Sequence, residues 1–283
     1  MQRLLLLSLF IFCAYGAIGQ SGDSVTTYGI EKTTMDLWED ELGMMGQVVL
    51  NGRSDSLKHY HNEVMRAGFR EMLKQKESYR YPFDRLTTVS KLMAPDEKFR
   101  IYTWTLPLEN GMHEFYGFIQ IPAENEFRVV ELFDSYPTYE NRDFATGDAD
   151  SWFGAIYYEI QKEKYKGDTY YTLLGWNGKD MFSNMKVLEI LYFDVADRPR
   201  FGKPIIHVDK NPRTRFIMEY AEDAGVSLRW NRKLGMYIFD HLVPKDGAQP
   251  GMFAFYVPDF SYDALEFENG EYWLREDVEV NNR

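Results

Sequence analysis

The chain is short of cysteine, of positive charge and of long apolar runs. Cys13 is the one cysteine among 283 residues, so no disulfide can close within the chain. A fold of this length must rest on its own apolar core, and its size allows one. Lys and Arg number 32 against 44 Asp and Glu, a formal charge of −12. Nucleic-acid binding needs clustered cations for phosphate contacts, so that function class is not expected here. The same excess of acid argues against docking on anionic lipid. Beyond Gly19, no stretch approaches the roughly 20 apolar residues that a bilayer-spanning helix needs. Catalytic signatures are missing as well. There is no Gly-x-Ser-x-Gly elbow, no His-Glu-x-x-His pair and no phosphate-binding glycine loop in the sequence. No cofactor is expected.

What is present begins with a leader. MQRLLLLSLFIFCAYGAIGQSG carries one basic residue, Arg3, then an apolar run from Leu4 to Phe12, then Ala17 and Gly19 at the −3 and −1 positions of a cut before Gln20. That is the pattern of a secretory signal peptide over residues 1–19. Cleavage would remove Cys13 and one positive charge, taking −12 to −13 by the loss of Arg3 alone. The mature protein is therefore expected to be exported, periplasmic or associated with the cell surface. Residues 20–33 are short, polar and mixed, and read as a flexible lead.

From Thr34 a helical period appears. Trp38, Leu42, Met45 and Val49 recur at spacings of 4, 3 and 4, which places them on one helical face. Thr33 or Thr34 can cap this helix, and Asn51-Gly52 can close it in a left-handed C-cap. Ser54 or Ser56 then starts a second helix, with Leu57, Tyr60, Val64 and Met72 on its apolar side. Residues 34–78 are thus expected to form a helical hairpin packed on a sheet.

Residues 79–283 follow a different grammar. Short runs rich in β-branched and aromatic residues recur, from Phe99–Leu106 to Tyr272–Arg275, twelve in all, and 16% of the whole chain is aromatic. Asn-Gly pairs at Asn110-Gly111, Asn177-Gly178 and Asn269-Gly270 lie between such runs. Both residues of the pair tolerate positive φ, so each pair predicts a type I′ hairpin. Lys166-Gly167-Asp168 and Lys233-Leu234-Gly235 predict further turns. One run, Val187 to Phe193, is apolar on both faces except at Glu189, and so must be covered on both sides. The expected fold is mainly β: an antiparallel meander closing a sandwich or barrel, preceded by the N-terminal α-helical hairpin.

Few residues point to chemistry. In IIHVD, His207 and Asp209 share one face of a strand, where an imidazole could be oriented for base catalysis. Nothing next to them supplies a nucleophile or a third ligand. In PDFSYDALE, Asp259, Ser261 and Asp263 alternate like oxygen ligands of a calcium loop, but Ala264 stands where the loop needs glycine and Gly270 where it needs glutamate. These make weak metal candidates, and the plainer expectation is no metal. Asp55, His59 and Glu63 share a helical face that Arg66 and Arg70 continue, which reads as a salt-bridged stripe. His113, just past a turn, reads as structural or exposed. Trp104, Trp152 and Trp176 could stack on sugar rings if exposed, and Trp176 in GWNG is expected to pack into its sheet.

The runs FRIYTWTLPLENG, FYGFIQ, WFGAIYYEI, YYTLLGWNGKDMFSNMKVLEILYF, IFDHLVP and YVPDFSYDAL resemble an uncharacterised family of exported proteins of Bacteroidota-type bacteria with no assigned activity. The resemblance implies an envelope location and one shared fold, and it carries no catalytic residue. The expected function is a non-enzymatic envelope binding or scaffolding protein with a glycan or protein partner. The competing expectation is a hydrolase of envelope polymers, acting through a carboxylate pair or a His207/Asp209 centre.

Overall fold

A computed structural model describes residues 32–124, 126–245 and 247–280. The signal-peptide reading and nearly all of the flexible lead fall outside the described residues. Helix α1 spans Thr34–Asn51 and α2 spans Asp55–Met72. Ser54 starts α2 from an extended backbone, and its hydroxyl accepts from the Leu57 N–H at 3.3 Å, satisfying one of the donors a helix start leaves open. Gly52 ends the first helix without a left-handed φ, since it is not among the positive-φ glycines. Its N–H reaches Val48 O at 2.8 Å, and a Cβ there would lie 2.6 Å from that same oxygen. The glycine thus serves a close approach instead of the expected left-handed cap.

The buried side of α1 is Met35, Glu39, Leu42, Gly46 and Val49. The second helix departs from its expected face. Lys58, Asn62, Met65, Phe69 and Met72 are buried, whereas Leu57 and Tyr60 stand 40% and 66% exposed. Two polar residues hold inward positions because the sheet supplies partners for them. Lys58 Nζ donates to Pro107 O at 2.7 Å, and Asn62 Oδ1 accepts from Trp104 Nε1 at 2.8 Å, while Asn62 Nδ2 is buried without a partner.

Strands β1 (Ser90–Met93), β2 (Arg100–Pro107), β3 (His113–Pro122) and β4 (Phe127–Phe133) form a four-stranded antiparallel meander. The next sheet contains β5 (Gly147–Asp148), β6 (Ile156–Tyr165), β7 (Asp168–Asn177), β8 (Ser183–Phe193), β9 (Pro199–Phe201) and β11 (Arg215–Ala221). Its order is β5-β9-β8-β7-β6. β9 takes the Leu191–Phe193 end of β8, and β11 takes the Ser183–Glu189 part. The last sheet runs β10-β15-β14-β13-β12, from β10 (Ile206–His207), β12 (Leu228–Asn231), β13 (Met236–Pro244), β14 (Tyr256–Glu268) and β15 (Glu271–Arg275). Only β10 in it is parallel to its neighbour. None of the three sheets closes on itself, so the barrel alternative is replaced by a stack.

Three apolar interfaces order the layers. Leu42, Met65, Phe69 and Met72 of the helices pack on Tyr102, Trp104 and Phe118 of the meander. The meander's other face, with Ile101, Phe115 and Ile119, meets Tyr157, Tyr171, Leu173 and Leu191 of the middle sheet. The middle sheet's far face, with Leu174, Leu188 and Ile190, meets Tyr237, Leu265 and Tyr272 of the last sheet. That placement explains the two-sided apolarity of β8. Each fully buried Leu, Ile or Phe in such a layer contributes about 1.5–3 kcal/mol. The exception, Glu189, pairs with Arg215 at 2.8 Å, both at 0% side-chain exposure. Tyr157 OH donates to Glu189 Oε2 at 2.9 Å and accepts from Trp152 Nε1 at 2.8 Å. Arg215 Nη1 also donates to Ala145 O at 2.9 Å and to Arg142 O at 2.5 Å, fastening a loop onto the middle sheet.

The turns are partly those expected. Lys166-Gly167 (φ 48° and 95°) and Asn269-Gly270 (φ 54° and 92°) have two positive φ values between paired strand ends, the type I′ geometry. Asn110-Gly111 does not, because only Gly111 is left-handed, at 79°. Its loop is wider and closed by Leu108 N to Met112 O at 2.8 Å. Asn177-Gly178 is not a turn of this type either. Asn177 is the buried last residue of β7, opposite Met185, and its Nδ2 donates to Gly154 O at 2.6 Å. Satisfying that carbonyl claims the asparagine for the strand. The turn moves on to Asp180, whose Oδ1 accepts from Phe182 N at 2.8 Å and Ser183 N at 3.0 Å. In the last sheet, Pro258–Asp263 belongs to β14, with a register shift opposite His241.

Candidate functional site

The residues singled out in sequence do not converge. Trp104 and Trp152 are 1% and 0% exposed; both are core residues, and neither can stack on a ligand. Trp176 is half-buried, with its ring edge-to-face with His113 at 5.3 Å. His207 stacks on Trp273 at 4.1 Å and faces Glu271, while Asp209 is held by Arg213, with Nε at 2.9 Å. The His207/Asp209 centre is therefore not formed, because a cation four residues on captures the carboxylate. Asp259 turns back on Ser261, accepting from its N–H at 2.9 Å and its hydroxyl at 2.7 Å. Asp263 accepts from His241 Nδ1 at 2.7 Å and from Asp277 N at 3.1 Å. Asp259 Oδ1 and both Asp263 oxygens take local donors, and among the described residues no group of three or more His, Cys, Asp or Glu could hold a metal ion.

A cleft instead lies where the β2–β3 loop, the start of β3, the end of β4 and the loop following it meet. A hollow of about 370 Å³ is lined by Arg66, Leu108, Met112, His113, Glu114, Phe133, Asp134 and Pro137, among others. A second, of about 500 Å³, shares Met112 and Pro137 with it and extends past Tyr136, Tyr139, Arg142 and Lys179. The β7–β8 loop borders it. A Cβ on Gly111 would lie 2.8 Å from Met181 Cβ. The rim is apolar and open: Met112 and Phe133 in the lining are 41% and 45% exposed, and Met181, against Gly111, is 60% exposed.

Asp134 is the pivot of this cleft. It follows β4 immediately, where the chain leaves the sheet and crosses to pair with Trp152. Its Oδ1 accepts from Tyr136 N at 2.9 Å and Gly154 N at 3.2 Å, and its Oδ2 from Phe115 N at 3.2 Å. A Cβ on Gly154 would lie 2.5 Å from the Asp134 carboxyl carbon, so glycine is what lets the carboxylate approach. Burial pushes its pKa up to about 6, against the three N–H donors that pull it down. No cation pairs with it among the described residues.

Its neighbours are arranged differently. Glu114 Oε2 accepts from His59 Nε2 at 2.9 Å and from Tyr116 OH at 2.6 Å. Burial alone would lower the His59 pKa, but the Glu114 contact and the Asp55 carbonyl raise it on balance. His113 is shifted down, by burial first and then by the charge of Lys58. Thr105 Oγ1 donates to Glu114 O and lies 3.1 Å from His113 Nδ1. The cations on the walls are all engaged. Arg66 bonds Glu131 at 2.8 Å and also Glu63, while Arg142 and Lys179 share Glu219 at 2.5 and 2.6 Å.

Sequence reasoning missed Glu114 and Asp134 and set His113 aside. The available signals were an acid directly after a strand, in ELFDSYP, and a His-Glu pair directly after the Asn110-Gly111 turn. Comparison with protein-family models finds no match, and comparisons with curated proteins and with solved structures find none either. The chemistry of the cleft is therefore read from its own residues.

Proposed function

We propose that this is an exported, non-enzymatic binding or scaffolding protein that takes a protein partner in the cleft between Asp134 and Lys179. The observation carrying this reading is the open apolar rim, where Met112 and Phe133 line the hollows at 41% and 45% exposure and Met181, against Gly111 in the adjoining loop, is 60% exposed. Exposed apolar groups gathered in one cleft suit an interface, and Met adapts to varied partners. The leader-like sequence of Met1 to Gly19 supports export. A protein partner is preferred to a glycan because Trp104 and Trp152 are core residues and Trp273 has one face taken by His207. A photo-crosslinking residue placed at Met181 tests the reading, with Val195, in the turn past the far end of β8, as the control. A discrete adduct in cells from Met181 alone supports it; no adduct, or equal labelling at both positions, overturns it.

A second reading has one observation behind it. Asp134, with its pKa near 6, and His113, with its pKa shifted down by burial, line one cleft, as an acid and a base would in a hydrolase. Against it, backbone donors already hold both Asp134 oxygens. Hydrolysis of envelope polymers by the purified protein, with a rate limb near pH 6 lost in Asp134→Asn, would establish this reading in place of binding.

A further inference from the structure

We infer that the segment recognised by the cleft is basic as well as apolar: an extended peptide stretch of the partner in which a lysine or arginine alternates with bulky apolar residues. The inference rests on the cleft being the partner site and adds the chemistry of the occupant. Its warrant is the charge ledger. Arg66, Arg142 and Lys179 are the cations that line the two hollows, and each is held by a carboxylate of the protein itself. They offer an acidic ligand little that is not already spent. The acids are in excess. Glu114, Asp134, Glu140 and Asp180 line the hollows beside those three cations, with Asp180 within 3.5 Å of Lys179; behind them lie Glu63, Glu131 and Glu219 against one further cation, Arg70, on Glu131. Glu114 has only the half-exposed His59 as a charged partner, and Asp134 has backbone N–H groups alone. The formal charge of −12 over the whole chain would draw a basic partner toward this surface.

Geometry gives the two kinds of contact separate places. Leu108, Met112, Phe133 and Pro137 are the apolar wall, and the carboxylates of Glu114 and Asp134 line the same hollow. Asp134 Oδ2 has one N–H donor against two on Oδ1, so it keeps a lone pair for a donor from outside. Successive side chains of an extended peptide point in opposite directions. Alternating apolar and basic residues would therefore meet the apolar wall and the acidic groups by turns.

Three labelled nonapeptides of equal leucine content, carrying lysine, serine or glutamate between the leucines, test the idea by fluorescence anisotropy on the full chain. The lysine peptide is expected to bind tightest, by about three- to tenfold over the serine peptide, as one or two partly buried ion pairs would give. Glu114→Gln should remove most of that preference without touching the fold, and Asp134→Asn should do the same if it remains folded by circular dichroism. A Met112→Ser/Phe133→Ser variant should weaken all three peptides together. Equal binding of the lysine and serine peptides overturns the basic preference and leaves the cleft reading standing. A lysine preference that survives Glu114→Gln also overturns it, since general surface charge would then be its source. Binding indifferent to Met112→Ser/Phe133→Ser overturns the cleft reading itself.

Discussion

Asp134→Asn should change the pH dependence of stability in one defined window. The carboxyl has a pKa of about 6 in the folded chain against an ordinary 3.8, a rise of about two units, or about 3 kcal/mol. The sign follows from which form the fold prefers. A raised carboxyl pKa means that the folded state holds the proton more tightly than the unfolded state. The favourable contribution of Asp134 is therefore fully present below about pH 4 and is lost as pH rises through about 6. An asparagine has no such titration. Urea unfolding of both chains at half-unit steps from pH 3.5 to 7.5 would give two curves, and their difference cancels every group they share. That difference, wild type minus variant, should fall by about 3 kcal/mol between pH 4 and 7 and be flat on either side. A flat difference throughout would mean that the carboxyl is not held in this desolvated nest. A difference rising with pH would mean that the N–H donors outweigh burial, and would refute the reasoning.

Other outcomes follow from particular contacts. Glu189→Gln leaves Arg215 charged and fully buried beside a neutral partner, and should cost about 3–5 kcal/mol by chemical denaturation; a loss under 1 kcal/mol would show that water reaches the pair. Ser54→Ala removes the hydroxyl that accepts from Leu57 N and should cost about 1 kcal/mol in the same assay. His241 is held above its usual pKa, first by its bond to Asp263. Its NMR titration midpoint should fall in Asp263→Asn, and an unmoved midpoint would show that the bond is not kept in solution.

The fold was legible in sequence where local chemistry decided it. Ser54 capped its helix, Asn269-Gly270 made its type I′ turn, and the two apolar faces of β8 called for layers on both sides. It was illegible where a distant partner set the outcome. Asn177 left the turn for Gly154 O, Lys58 and Asn62 took inward positions because β2 offered Pro107 O and Trp104, and Asp209 went to Arg213. The cleft was hidden for the same reason. Glu114 and Asp134 are 20 residues apart and His59 lies on another element; only the meander's folding against α2 brings the three together. No spacing rule connects such residues, and Asp134 gains its character from N–H groups of Phe115, Tyr136 and Gly154 that every sequence possesses.

The most direct measurement is a methionine-methyl NMR titration of the full chain with the lysine–leucine nonapeptide. Met112 and Met181 border the cleft, while Met44 is 66% exposed on the outer side of α1 and serves as the reference. A partner site at the cleft requires saturable shifts of the Met112 and Met181 methyls with Met44 unmoved. Shifts of Met44 as large as those of Met112, or no shift at either cleft methionine, would contradict it.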